Sequence, residues 1–341
     1  MGYSPQPTAA VAVPRPDVAA AMPLLDIDME EAGFIALRVL PPADVGNISG
    51  TLTTIAIEEI LRDRALQRAE GSAYARDTFR FATIEYATKE YGLEYPVDQH
   101  AAANYRDFIA DPVVEAARIS RFAALSELEQ RAADAVFNTT TWTGASLTTT
   151  LPGGSEWNVL ATANPIKDVI AAKRKMRKLG FRPNALILSR DVFEFLKLNA
   201  AIQTAIASTG AGASFEVSKI NEAVLAQVFD IEQVIVAGAL RNTANQGLAA
   251  VITDRWSVEY AMLAKIASPG APKQFPCLGR TMNWTGDGSD LSVGGIAETY
   301  FENQVRGDVV RFRHDTGVKI YTPNAAHLIQ NVSDQGIWPF V

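Results

Sequence analysis

FRFATIEYATKEYGLEYPV, residues 79–97, is the stretch on which the reading of the whole chain turns. Phe79 and Phe81 stand two apart, and Tyr91, Leu93, Tyr95 and Val97 alternate, so each end presents one apolar side of a strand. An isolated two-stranded ribbon is marginal in water, and an unpaired edge carrying aromatic side chains invites association. The stretch therefore needs a surface to lie on, supplied either by its own chain folding back or by another molecule. Phe79, Phe81, Tyr86, Lys89, Tyr91 and Tyr95 are the candidate contact residues.

Working outward, NISGTLTTIAIEEI (47–60) is a second β-type stretch, separated from the first by the polar, basic LRDRALQRAEGSAYAR (61–76). Residues 46–99 thus read as an arm and not as a core. Upstream, residues 1–23 are rich in Pro and Ala and are expected to be extended. The acidic run Asp26, Asp28, Glu30 and Glu31 leads to FIALRVLPP, predicted to be a short strand stopped by Pro41 and Pro42.

Downstream, Asp111 before Pro112 supplies an N-cap and a first-turn proline. Phe122, Leu125, Leu128, Ala132 and Val136 then recur at steps of three or four, predicting one stripe on a long helix ending near Asn138. TTTWTGASLTTTLPGG (139–154) reads as a strand and turns. From residue 155 the pattern is α/β. A helix runs from Asn164–Pro165 to Gly180, NALILS is a buried strand, and RDVFEFLKL is a helix capped by Ser189. SKINEAVLAQVF repeats the helical pattern before the strands QVIVAGAL and LAAVITD. IAETYFENQV, DVVRFRHD and GVKIYT are predicted as three strands separated by Gly and Asp turns.

Composition limits the chemistry. The 341 residues are 48% hydrophobic and 20% charged, with a net charge of -7, which argues against a protein coated with nucleic acid but leaves room for a local basic face. There is no apolar run of membrane-spanning length and no secretory pattern at the start, so no membrane partner and an intracellular product are expected. Cys277 stands alone, which excludes an intrachain disulfide and a multi-cysteine zinc site. His100, His314 and His327 fall in segments read as loop or strand edge, spaced for neither a metal nor a triad. STGAGAS (208–214) lacks the ending of a phosphate-binding loop, and WTGDGSD, with Asp287 and Asp290, lacks the later Glu of a calcium loop. Both read as turns or loop tips. No cofactor and no enzymatic activity are expected. KRKMRK (173–178) complements the dipole at the end of its helix, and the side bearing Lys173 and Arg177 could also meet an acidic neighbour or nucleic acid.

LQRAEGSAYARDTFRFATIEYATKEYGLEYPVDQ (66–99) resembles the extended loop of tailed-bacteriophage major capsid proteins. EWNVLATANPIKDVIAAKRKMRKLGFRPNALILSRDVFEFLKLNAAI (156–202) is similar to the same family's pattern of a Trp, an Asn-Pro helix start, G-x-x-P-N, a strand and a short helix. LAQVFDIEQVIVAGALRN and YFENQVRGDVVRFRHDTGVKIYTPNAAHLIQNV also fit it, in the right order. The resemblance spans residues 46–335 and implies an α+β Hong Kong 97-type capsid fold. Its expected parts are an N-terminal arm (1–45), an extended β-hairpin loop (46–99), a peripheral domain with the spine helix (100–154), an axial α/β domain (155–285) and C-terminal strands of the peripheral domain (286–341).

The function implied is a shell subunit forming hexamers and pentamers that close into an icosahedral phage head around double-stranded DNA. An encapsulin-like protein compartment is the alternative. The six residues above become inter-subunit contact candidates. In some relatives a loop lysine forms an isopeptide with a neighbour's Asn, and Lys89 is the first lysine here, though no partner Asn is identifiable. A separate scaffolding protein, a portal protein, a decoration protein and non-specifically contacted packaged DNA are the implied partners, with assembly in the host bacterial cytoplasm.

Overall fold

A computed structural model of the chain describes residues 13–14, 33–64, 66–68, 70–78, 81–100, 112–207, 220–245, 247–288 and 295–333. In chain order the strands are β1 (Val13–Pro14), β2 (Pro42–Val45), β3 (Ser49–Ile55), β4 (Phe81–Ala87), β5 (Lys89–Asp98), β6 (Thr148–Thr150), β7 (Ala185–Ser189) and β8 (Gln233–Ala237). They continue as β9 (Leu240–Asn242), β10 (Ile252–Asp254), β11 (Tyr260–Ala264), β12 (Gly279–Trp284), β13 (Ile296–Glu302), β14 (Gly307–Ile320) and β15 (Ala326–Gln330). The helices are α1 (Ala36–Val39), α2 (Ile57–Ile60), α3 (Pro112–Val136), α4 (Pro165–Lys178), α5 (Arg190–Leu198), α6 (Ala200–Ile206) and α7 (Glu222–Phe229).

A five-stranded sheet in the order β6-β15-β11-β7-β8 is covered on both faces, which is why ALILS and QVIVA read as continuous apolar runs. Leu186, Leu188, Val234, Val236 and Leu263 face Val169 and Met176 of α4, Phe193 of α5 and Phe229 of α7. Their alternates Ile187, Ile235, Met262 and Leu328 face Ala132, Ala133 and Val136 of α3, together with Trp142 and Trp256. The helix starts follow local chemistry. Asn164, Ser189, Asn199 and Asn221 each accept a first-turn N–H, at 3.0 Å from Lys167 in the first case. Gly180 ends α4 at φ 87°, and a Cβ there would lie 2.6 Å from Ile57 Cγ2, so both backbone and packing require glycine. α7 begins at Glu222, later than SKINEAVLAQVF suggests, because Asn221 provides the cap.

The second sheet runs β1-β13-β14-β12-β2, with β5 also paired to β14. Ala116, Ala117 and Ala124 of α3 pack on Val310 and Phe312 of β14. DVVRFRHD and GVKIYT, expected as two strands, form the single strand β14. Gly317 does not turn the chain. It lets β14 pass the neighbouring backbone, since a Cβ there would lie 2.2 Å from the Ala87 carbonyl oxygen.

Other expectations are corrected. Residues 79–97 are not one ribbon: β4 pairs antiparallel with β3, from Ser49↔Ala87 to Ile55↔Phe81. β5 pairs antiparallel with β14, from Gly307↔Asp98 to Thr316↔Lys89. The chain crosses between the two at Thr88, which is buried and donates its N–H to the Ile48 carbonyl at 2.8 Å. FIALRVLPP holds the helix α1 and not a strand, because Glu129 accepts the Ile35 and Ala36 N–H groups at 2.9 and 2.7 Å and so supplies a cap from a distant element. Sheet membership also departs from the segment boundaries. β6 and β15 join the five-stranded sheet, whereas β12, within 155–285, belongs to the six-stranded one. Asp111, STGAGAS and residues 15–32 lie outside the described residues.

Candidate assembly surface

The β3–β4 ribbon is held at its root by its own chain. Leu52, Ile84 and Tyr86 pack with Phe275, Met282 and Trp284, and the Tyr86 ring lies over Gly50, its cross-strand partner. The Thr54 hydroxyl donates to the Gln274 carbonyl at 3.1 Å. Beyond the ribbon, Ile57 and Leu61 meet Gly180 at the end of α4. The tip is tied internally by the Arg64–Asp77 ion pair, which holds the Asp77 carboxyl below its usual range, and by Arg68 over the Tyr74 ring at 4.9 Å.

The exposed residues of the loop include large apolar side chains set among charged ones such as Arg62, Asp63, Arg68, Glu70 and Arg76. Ile60, Leu61, Leu66, Tyr74 and Phe81 are 59%, 63%, 79%, 73% and 62% exposed, all within residues 60–81. Aliphatic and aromatic groups so held can bury area against a partner.

The six sequence-derived candidates do not form one patch. Phe79 lies outside the described residues. Phe81 is exposed on β4, while Tyr86 is half-buried at the ribbon root. Lys89, Tyr91 and Tyr95 are on β5, sharing the face of β14 that carries Thr316, His314 and Val310. Tyr91 is occupied within the chain, with the Arg131 guanidinium 3.6 Å from its ring centroid and the His314 ring 5.9 Å away. Tyr95 is 44% exposed and Lys89 is exposed. β5 pairs with β14 alone among the described strands, so its other edge is open there. The opposite face of the sheet is charged: Arg311 pairs with Glu94 and Glu298, and Arg313 with Glu298, Asp287 and Glu90.

His314 and His327 are fully buried on central strands, contrary to their expected loop or edge positions, whereas His100 is exposed. The described residues hold no group of three or more His, Cys, Asp or Glu side chains able to bind a metal. None of the described helices is long and apolar enough to cross a membrane. Asp287 is an ion-pair partner of Arg313, and Asp290 lies outside the described residues.

Glu129 was missed by the sequence reading. It is 1% exposed, accepts from the Trp256 indole at 2.5 Å as well as from Ile35 and Ala36, and so joins α1, α3 and the segment before β11. Burial pushes its carboxyl up while the three donors oppose that shift. Its signal was available: an acid four residues after Leu125 and three before Ala132 sits on the apolar stripe. Phe122, assigned to that stripe, is instead 47% exposed at its margin and stacks on Phe34 at 5.4 Å.

Comparison with known proteins follows the fold. The family model described as phage capsid protein matches residues 81–329. Among solved structures, a phage-related protein from Bordetella bronchiseptica RB50 superposes with a TM-score of 0.66 at 18% identity, covering 94% of this chain and 98% of that one. The capsid of cyanophage P-SCSP1u gives a TM-score of 0.57 at 9% identity, covering 86% of each chain. The SrpI encapsulin of Synechococcus elongatus PCC 7942 gives 0.50 at 10% identity, covering 87% and 86%. No curated protein sequence matches the chain.

Proposed function

The chain belongs to the phage capsid protein family, with the Hong Kong 97-type fold, and from that premise we propose that its copies form hexamers and pentamers closing into an icosahedral head around double-stranded DNA. The observation that carries this reading is the loop whose root is buried in its own chain and whose Ile60, Leu66, Tyr74 and Phe81 are left to solvent. A surface of this kind is completed by a neighbour, and closed symmetry gives every copy the same neighbour. Each contact can be modest, because a subunit held by several neighbours leaves only when all are broken together. On this reading residues 46–87 are the extended loop, the sheet around β14 with α3 is the peripheral domain, and the sheet around β11 is the axial domain. Scaffolding, portal and decoration proteins would join it in the host bacterial cytoplasm, and the product is the virion capsid.

Electron microscopy of the expressed chain, with and without its assembly partners, tests the proposal. Closed particles containing DNA are expected with the phage partners present. Phe81→Ser is expected to keep the unassembled subunit's circular dichroism and melting temperature while reducing particle yield at least tenfold, on the order of an interface hot spot. A variant that assembles like the parent removes the loop from the interface. The encapsulin fold match favours one second reading, a compartment enclosing protein. Particles that contain a cargo protein and no DNA would establish it instead.

A further inference from the structure

The basic run of α4 divides into cations used by the fold and cations that the fold leaves free. Lys173 donates to the Asp230 carboxylate at 2.8 Å and to the Phe229 and Asp230 carbonyls, capping the end of α7. Lys175 turns to the Thr149 hydroxyl at 2.6 Å, and Met176 is fully buried. Lys167, Arg174 and Lys178 stand on the opposite side of the helix from the buried Val169, Ala172 and Met176, and Arg177 flanks them. All four are exposed, as is Arg182 just beyond, and none makes an ion pair with the described residues. At helical rise, Lys167 to Lys178 spans about 16 Å.

The helix dipole accounts for cations in the last turn but opposes Lys167 in the first, so the row is longer than the dipole explains. It is also a local exception in a chain of net charge -7.

We infer that this face of α4, carrying Lys167, Arg174, Arg177 and Lys178 with Arg182, is a contact for the phosphate backbone of double-stranded DNA. The inference rests on reading the chain as a DNA-enclosing shell subunit and assigns the DNA contact to one helix. A row of solvated, unpaired cations suits a repeating polyanion, whose binding releases counterions and needs no base contacts. A protein partner fits less well, since interface centres are depleted of lysine and Ile170 is the one large apolar side chain exposed on this helix.

The test uses the full chain and a labelled random-sequence DNA duplex, with affinity measured between about 50 and 200 mM salt. Replacing Lys167, Arg174 and Lys178 together by Gln is expected to weaken binding and to reduce the slope of log K against log salt by about three. The substitutions lie opposite the buried face, so the melting temperature should hold. Lys173→Gln removes one charge from an internal site and is expected to lower the melting temperature with little change in slope. Particles of the triple variant should form but carry less DNA. An unchanged salt slope overturns the inference, and so does normal DNA binding combined with lost assembly, which would make the face a protein interface. Should the parent chain form no particles while the slope still falls by about three, the shell reading fails and the DNA contact stands.

Discussion

His327 illustrates how a single buried side chain sets a pH limit. Its Nδ1–H donates to the Ser146 carbonyl at 2.9 Å, its Nε2 accepts from the Thr149 hydroxyl at 2.8 Å, and that hydroxyl accepts from Lys175. Burial, with the nearby Lys175 ammonium, lowers its pKa from 6.5 to about 4. The folded chain therefore keeps a neutral imidazole over a range where the unfolded chain binds a proton. Stability should fall as pH drops from 6.5 to about 4, by about 3 kcal/mol in total, and flatten below. His327→Gln should remove that part of the slope, read as a smaller difference in melting temperature between about pH 7 and about pH 4.5. An unchanged difference would assign the acid sensitivity to other groups. At this scale the sequence was partly legible. Asn164 and Ser189 announce their caps because a cap acts within one turn. The burial of His314 and His327 is set by strands that pack from elsewhere, and neither FRHD nor AHLIQ carries that information.

Among the elements, β14 explains why the opening stretch was misjudged. A ten-residue alternation such as KEYGLEYPVD looks the same whether its partner strand is in the same chain or another, so β5 could not be assigned to residues 307–316 from pattern alone. Glycine misled in the opposite direction, since Gly317 reads as a turn and is instead a point of close approach inside a continuous strand. Gly317→Val should cost about 2–3 kcal/mol by forcing β14 away from the Ala87 carbonyl. Gly46→Ala, where a Cβ meets nothing within 4 Å, should stay within about 0.5 kcal/mol of the parent. Denaturant unfolding of both variants gives the comparison, and equal stability would deny the glycine its packing role.

Over the whole molecule, the order of motifs carried the family and the fold class, while boundaries drawn as contiguous segments could not describe sheets woven from both ends of the chain. β15, residues 326–330, lies between β6 and β11 and pairs with both. Ala325, Ile329 and Val332 belong to one core, and Ala326 and Leu328 to the other. A chain ended after Tyr321 should therefore lose cooperative melting and be digested throughout residues 148–264 under conditions that leave the full chain intact; resistance there would show that the sheet closes without its inserted strand. The same placement acts during synthesis. The strand that closes the sheet is made after all four of its companions β6, β7, β8 and β11, so a nascent chain interrupted before residue 326 presents its neighbours with no finished subunit, and translation itself separates whole building blocks from fragments.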